Sequence, residues 1–125
     1  MATVVFTDDG VDWMADRLFN PSSTEDPAGY VAIGSGATTP DPTQTALVSE
    51  TARVAGAFTY IGSGALKFSG TVPAGTGTGT VAEVGIFDQS SGGVMIARMV
   101  VPAFTKGAGD PYVAEIPISL VDNNA

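Results

Sequence analysis

The sequence predicts a mainly β protein, an antiparallel β-sandwich or barrel with one N-terminal amphipathic α-helix. Three observations carry that expectation. Short runs rich in Val, Ile, Thr and aromatic residues recur along the chain, separated by breaks rich in Gly, Ser and Thr. Only the segment after residue 10 shows helical spacing of its apolar residues. The composition, 44% hydrophobic and 14% charged over 125 residues, is apolar enough to build a core and is the size of one domain, residues 1–125.

Taken in order, residues 3–6 form a β-branched and aromatic run, a first strand, which Asp8, Asp9 and Gly10 break. Val11, Met14, Ala15 and Leu18 then stand at i, i+3, i+4 and i+7, one apolar face of a helix. Asp9 is the expected N-cap, with Asp12 near the positive end of the dipole and Arg17 near the negative end. Asn20-Pro21 stops the helix. Beyond a polar loop, residues 30–33, 54–61, 66–72, 80–87, 94–101 and 112–121 read as strands, and residues 48–53 are ambiguous, with a helical turn as one reading. Gly62-Ser63-Gly64-Ala65 suggests a hairpin. Tyr112, Ala114, Ile116, Ile118 and Leu120 alternate as on a half-buried strand, and Pro117, which has no ladder donor, puts that strand at an edge or on a bulge. The Ile-Gly-Ser-Gly copies at 33–36 and 61–64 are too short to constitute a repeat.

Charge and residue usage exclude several functions. Thirteen acids against five bases give a formal charge of −8, which repels phosphate backbones and argues against nucleic-acid binding. With no cysteine and no histidine there are no disulfides, no thiolate nucleophiles, no Ser-His-Asp triads and none of the commonest zinc ligands. No catalytic, cofactor or metal site is expected. The N-terminus lacks signal-peptide features, and no apolar run approaches the ~20 residues that cross a bilayer. A soluble domain made in the cytoplasm, with no membrane partner, is the expectation.

Gly34-Ser35-Gly36 looks at first like a phosphate cradle. It lacks the lysine of a Walker loop, and Thr39 stands where a dinucleotide fingerprint needs its third glycine. It reads better as the exit from a buried strand into a stiff surface loop, Thr38-Thr39-Pro40-Asp41-Pro42. Asp8, Asp9, Asp12 and Asp16 lack calcium-loop spacing and read as capping and solvated residues. Glu83 lies within the apolar run 81–87, and a charge there needs a partner if buried. Arg98 in the next strand is that partner, about opposite across the turn at 89–93. Lys106, and Glu50 with Arg53, are further structural ion-pair candidates. Trp13 and Phe19 lie off the helical stripe; they either pack under the loops or face another subunit. With Pro40, Asp41 and Pro42 they make up the candidate interface. Tyr30, Tyr60 and Tyr112 alternate like core residues, which weakens a sugar-stacking role.

The order of motifs adds to this. A helix Asp-Gly-Val-Asp-Trp-Met-Ala-Asp-Arg-Leu precedes Tyr-Val-Ala-Ile-Gly-Ser-Gly at 30–36. Thr45-Ala46-Leu47 with Glu50 and Arg53 follows, then Glu83-Val84-Gly85-Ile86-Phe87-Asp88, Gly92-Gly93-Val94-Met95-Ile96-Ala97-Arg98, and Thr105-Lys106. The series resembles small virion structural proteins of tailed bacteriophages and archaeal viruses, labelled tail-fibre or capsid decoration proteins. The resemblance covers residues 9–106. It implies a virion component that is not an enzyme, with the major capsid protein or tail proteins as partners and a homo-oligomer, a trimer for instance, as its working form. With no coiled-coil heptads and no long repeats to build a shaft, a capsid decoration (cement) protein is the first expectation. A tail-tip or fibre-associated protein is the runner-up, and a carbohydrate-binding β-sandwich is the alternative from another class.

Overall fold

The computed structural model describes residues 4–120, so residues 3 and 121, the outer ends of the expected first and last strands, lie outside the described residues. Eight strands and one helix follow in the order β1 (Val4–Phe6), α1 (Asp8–Phe19), β2 (Tyr30–Gly34), β3 (Glu50–Ala55), β4 (Ala57–Gly62), β5 (Ala65–Val72), β6 (Gly79–Phe87), β7 (Met95–Lys106) and β8 (Tyr112–Ser119). They form a five-stranded sheet, β1-β7-β6-β2-β3, and a three-stranded sheet, β4-β5-β8, in which every pairing is antiparallel. The sheets share one core. Val31, Ile33, Val84, Ile86 and Ala97 from the first meet Phe68, Val72, Ala114, Ile116 and Ile118 from the second. Alternation sends those side chains inward, and their removal from water is the main favourable term for the sandwich.

Two connections depend on glycine. The expected strand 54–61 is two strands. The chain breaks at Gly56, whose amide donates to Gly29 O (2.9 Å), and then passes from one sheet to the other. A Cβ at Gly56 would stand 2.8 Å from the Phe68 ring, so only glycine lets the crossing run this close to the core. Upstream of it, residues 50–55 are strand rather than helical turn, because they complete the ladder of β2. The expected hairpin joins β4 and β5, with Ser63 (φ 55°) and Gly64 (φ 81°) at its tip.

β7 runs five residues past the expected end at Val101. Pro102 does not end it because the β6 register slips there: Glu83 faces Val100 while Val81 faces Phe104. The residues between bulge out, and the missing proline donor falls in the irregularity. β8 lies at the edge of its sheet with Pro117 opposite Lys67, and Ala114, Ile116 and Ile118 are buried in alternation. Leu120 falls beyond the strand and is exposed. Tyr60, expected among core residues, is 77% exposed on β4, the other edge of that sheet.

The helix departs most from expectation. Its N-cap is Thr7, not Asp9: the Thr7 hydroxyl accepts from Gly10 N (2.8 Å) and donates to Met95 O, tying the helix start to β7. Asp9 lies inside the first turn, where it only complements the dipole. The stripe Val11–Met14–Ala15–Leu18 is not the packed face, since Val11 is 56% and Leu18 64% exposed. Gly10, the buried helix residue, sits directly on the backbone of Ile96, where any Cβ would collide. That contact rotates the helix so that Trp13 packs on the core.

Candidate functional site

The Glu83–Arg98 pair organises the outer face of the five-stranded sheet. Both side chains are fully buried, with Arg98 Nε donating to Glu83 Oε1 at 2.8 Å. They are not directly opposite. Arg98 faces Gly85 and Glu83 faces Val100, so the pair meets on the diagonal. Gly85, between them in sequence, leaves room for Leu47, whose Cδ2 a Cβ there would meet at 2.9 Å.

The pair also does what the sequence did not suggest: it holds the loop between β2 and β3, residues 35–49. The Glu83 carboxylate accepts from the amides of Gly36 (2.9 Å), Val48 (2.9 Å) and Ser49 (2.8 Å). Arg98 Nη1 donates to Thr38 O (2.7 Å) and Gln44 Oε1 (3.3 Å), and Nη2 to Gly36 O (3.4 Å). Both limbs of the loop are thus fastened to one ion pair. Burial pushes the Glu83 carboxyl up, but the Ser49 amide, the Arg98 guanidinium and the amides of Val48 and Gly36 outweigh it and hold it below its ordinary value.

This arrangement settles the role of Gly34-Ser35-Gly36. A Cβ on Gly34 or Gly36 would stand 2.6 or 2.7 Å from Glu83 Oε2. Close approach to a carboxylate, rather than a sharp exit alone, requires glycine at both. The loop amides that a phosphate cradle would need already bind an anion, the protein's own.

At the tip, Asp41 builds a turn. Its carboxylate accepts from Thr43 Oγ1 (2.6 Å) and Thr43 N (2.8 Å), and its amide donates to Gln44 Oε1 (3.0 Å). The Thr43 hydroxyl and amide keep the Asp41 carboxyl below its ordinary range. Asp41 and Pro42 are exposed and Pro40 is half-buried. The Pro42 carbonyl accepts from Asp8 N at the helix start (2.8 Å), which sets the exposed Asp8 and Asp9 beside the loop.

The other candidate residues divide. Trp13 packs under the following loop, its indole Nε1 donating to Asp26 O (2.8 Å). Phe19 is 80% exposed at the far end of the helix, about 16 Å from Asp8 at ~1.5 Å per residue, so the structure does not join it to the loop. Arg53 pairs with Glu50 (2.7 Å), lies over the Phe87 ring (3.6 Å) and holds the β6–β7 turn through the carbonyls of Gln89 and Gly92. Lys106 pairs with no carboxylate among the described residues; it is buried and donates to Pro73 O (3.0 Å). An apolar groove of about 310 Å³ between the helix and the three-stranded sheet, lined among others by Trp13, Leu18, Phe58, Leu66 and Ile118, was not foreseen.

Among the described residues no group of three or more acidic, His or Cys side chains is placed to hold a metal, and no helix is long and apolar enough to cross a membrane. In comparisons with protein families, with curated proteins and with solved structures, nothing matches this chain.

Proposed function

We propose that this chain is a structural protein of a tailed virus particle and that it decorates the capsid shell by binding. The observation that carries the reading is the loop at 35–49, fastened at both limbs to a buried ion pair. It presents Pro40, Asp41 and Pro42 with Asp8 and Asp9 alongside. A surface loop held so firmly loses little freedom on docking, which suits a protein whose work is attachment. Its acidic rim, in a chain of net charge −8, complements a basic shell surface. The motif order described above supports the virion assignment, and the two-sheet fold of the described residues, which contain no coiled coil or long repeat, favours the shell over a fibre. Many copies bridging neighbouring shell subunits would raise the cost of pulling them apart.

Labelling of particles with antibodies against this chain is expected to decorate the shell, and attachment is expected to weaken with salt. Label on the tail alone overturns the decoration reading in favour of a tail-tip or fibre-associated role. Absence from purified particles overturns the virion reading. The exposed Tyr60 supports a second reading, a carbohydrate-binding module that recognises host glycan. A glycan-array signal abolished by Tyr60→Ala would establish it.

A further inference from the structure

The edges of the two sheets are not equally protected. β1 is three residues long in the described chain, β3 carries Glu50 and Arg53, and β8 carries Glu115 and Pro117. Short strands, charges and prolines are the usual devices that stop an edge from pairing with another chain. β4, Ala57-Phe58-Thr59-Tyr60-Ile61-Gly62, has none of them. Its first five residues are all exposed, including Phe58 at 42%, Tyr60 at 77% and Ile61 at 63%. On one side it pairs with β5, and on the other no strand of the described residues pairs with it.

We infer that β4 is a self-association edge, and that its partner is the β4 of a second copy, antiparallel about a two-fold axis through Thr59. The strand's own neutral, self-complementary sequence selects this occupant, against the net charge rather than because of it. Two copies carrying −8 each repel, and they can approach closely only where no charge is brought face to face. An antiparallel β4–β4 contact opposes neutral side chains throughout.

The pattern along the strand then fixes the register. Phe58 and Tyr60 share the inner face, since they lie opposite Phe68 and Leu66 of β5. A two-fold perpendicular to the sheet preserves that face, so residues of like parity must oppose one another. Centring on Thr59 sets Phe58 against the partner's Tyr60, Thr59 against the partner's Thr59, and Ala57 against the partner's Ile61. Aromatic–aromatic and Thr–Thr pairs are the cross-strand combinations that stabilise antiparallel ladders. The partner's Tyr60 then lies beside Phe58, at the mouth of the groove that Phe58 lines with Leu18 and Leu66. The two three-stranded sheets become one continuous sheet across the axis. The inference is independent of the virion reading, and it predicts two-fold rather than three-fold association.

The absence of cysteine gives a direct test. In the full chain, Thr59→Cys places two thiols opposite each other at the axis. Facing Cα atoms there lie about 4.5–5.5 Å apart, within the span of a disulfide. Ile61→Cys places its two thiols four residues apart along the ladder, at roughly 13 Å, out of reach. Under mild oxidation Thr59→Cys is expected to form a disulfide-linked dimer several-fold faster than Ile61→Cys. The unmodified chain is expected to show twice the monomer mass by light scattering at high micromolar concentration. Both positions are exposed, so neither variant threatens folding, and circular dichroism verifies this. A monomer at all concentrations, a trimer, or equal cross-linking at the two positions would overturn the proposal.

Discussion

Glu83 concentrates more structural responsibility than any other side chain described. Its carboxylate, itself out of water, is the acceptor for three loop amides and the counter-ion of the buried Arg98. Glu83→Gln keeps the shape but leaves the guanidinium unpaired, and it can turn an amide donor toward amide donors. Breaking a buried pair in this way costs about 3–5 kcal/mol, measurable as a lower urea midpoint. Removing both charges rescues many buried pairs, but not this one. In a Glu83→Leu, Arg98→Met variant the amides of Gly36, Val48 and Ser49 have no acceptor, at about 1–3 kcal/mol per stranded group. That double variant should therefore stay well below the wild type in stability; full recovery would show that the pair serves itself and not the loop. The pH dependence has a definite direction. Because folding lowers the Glu83 carboxyl below its ordinary value of about 4.5, its contribution is complete above that pH. It is lost as pH falls through the lower folded value, so the stability gap between wild type and Glu83→Gln should narrow below pH 4.5.

At the scale of elements, strand positions were largely legible because period-two alternation and turn glycines are local signals. The β4–β5 hairpin, the edge placement of Pro117 and the expectation that Glu83 and Arg98 pair all came from such signals. The helix face was not legible. Val11, Met14, Ala15 and Leu18 form the better apolar stripe, yet the docking surface is set by a residue with no side chain. Gly10 allows helix and strand backbones to touch, and no hydrophobic pattern records that. The same holds for the loop clamp, whose signal was two glycines with no turn-specific reason to be glycine. Gly10→Ala should accordingly destabilise the protein by about 1–3 kcal/mol through overpacking against Ile96, despite a helix-propensity gain of roughly 1 kcal/mol. Val11→Ala, on the stripe that faces solvent, should stay within about 0.5 kcal/mol of wild type. Thermal melts of the two variants decide between the faces, and a larger loss at Val11 would restore the stripe as the packed surface.

For the whole molecule, the sandwich class was legible from strand count and composition, while strand order was not. β1 pairs with β7, with Val4 opposite Met99, and β8 joins the sheet of β4 and β5. Such pairings are decided by which faces bury each other, information spread over the entire chain. The resulting core has a consequence for unfolding. Side chains from both sheets interdigitate in one cluster, and Trp13 on the helix packs against that cluster. The inner face of each sheet is buried only against the other, so helix docking and sheet pairing should be lost together. Trp13 is the only tryptophan, so its fluorescence reports docking of the helix on the core, whereas far-ultraviolet circular dichroism reports the strands. In urea the two transitions are expected to share one midpoint and one slope at fixed protein concentration. An earlier fluorescence transition would mean that the helix undocks over an intact sandwich, leaving Thr7 and Gly10 as a detachable contact rather than part of the cooperative unit.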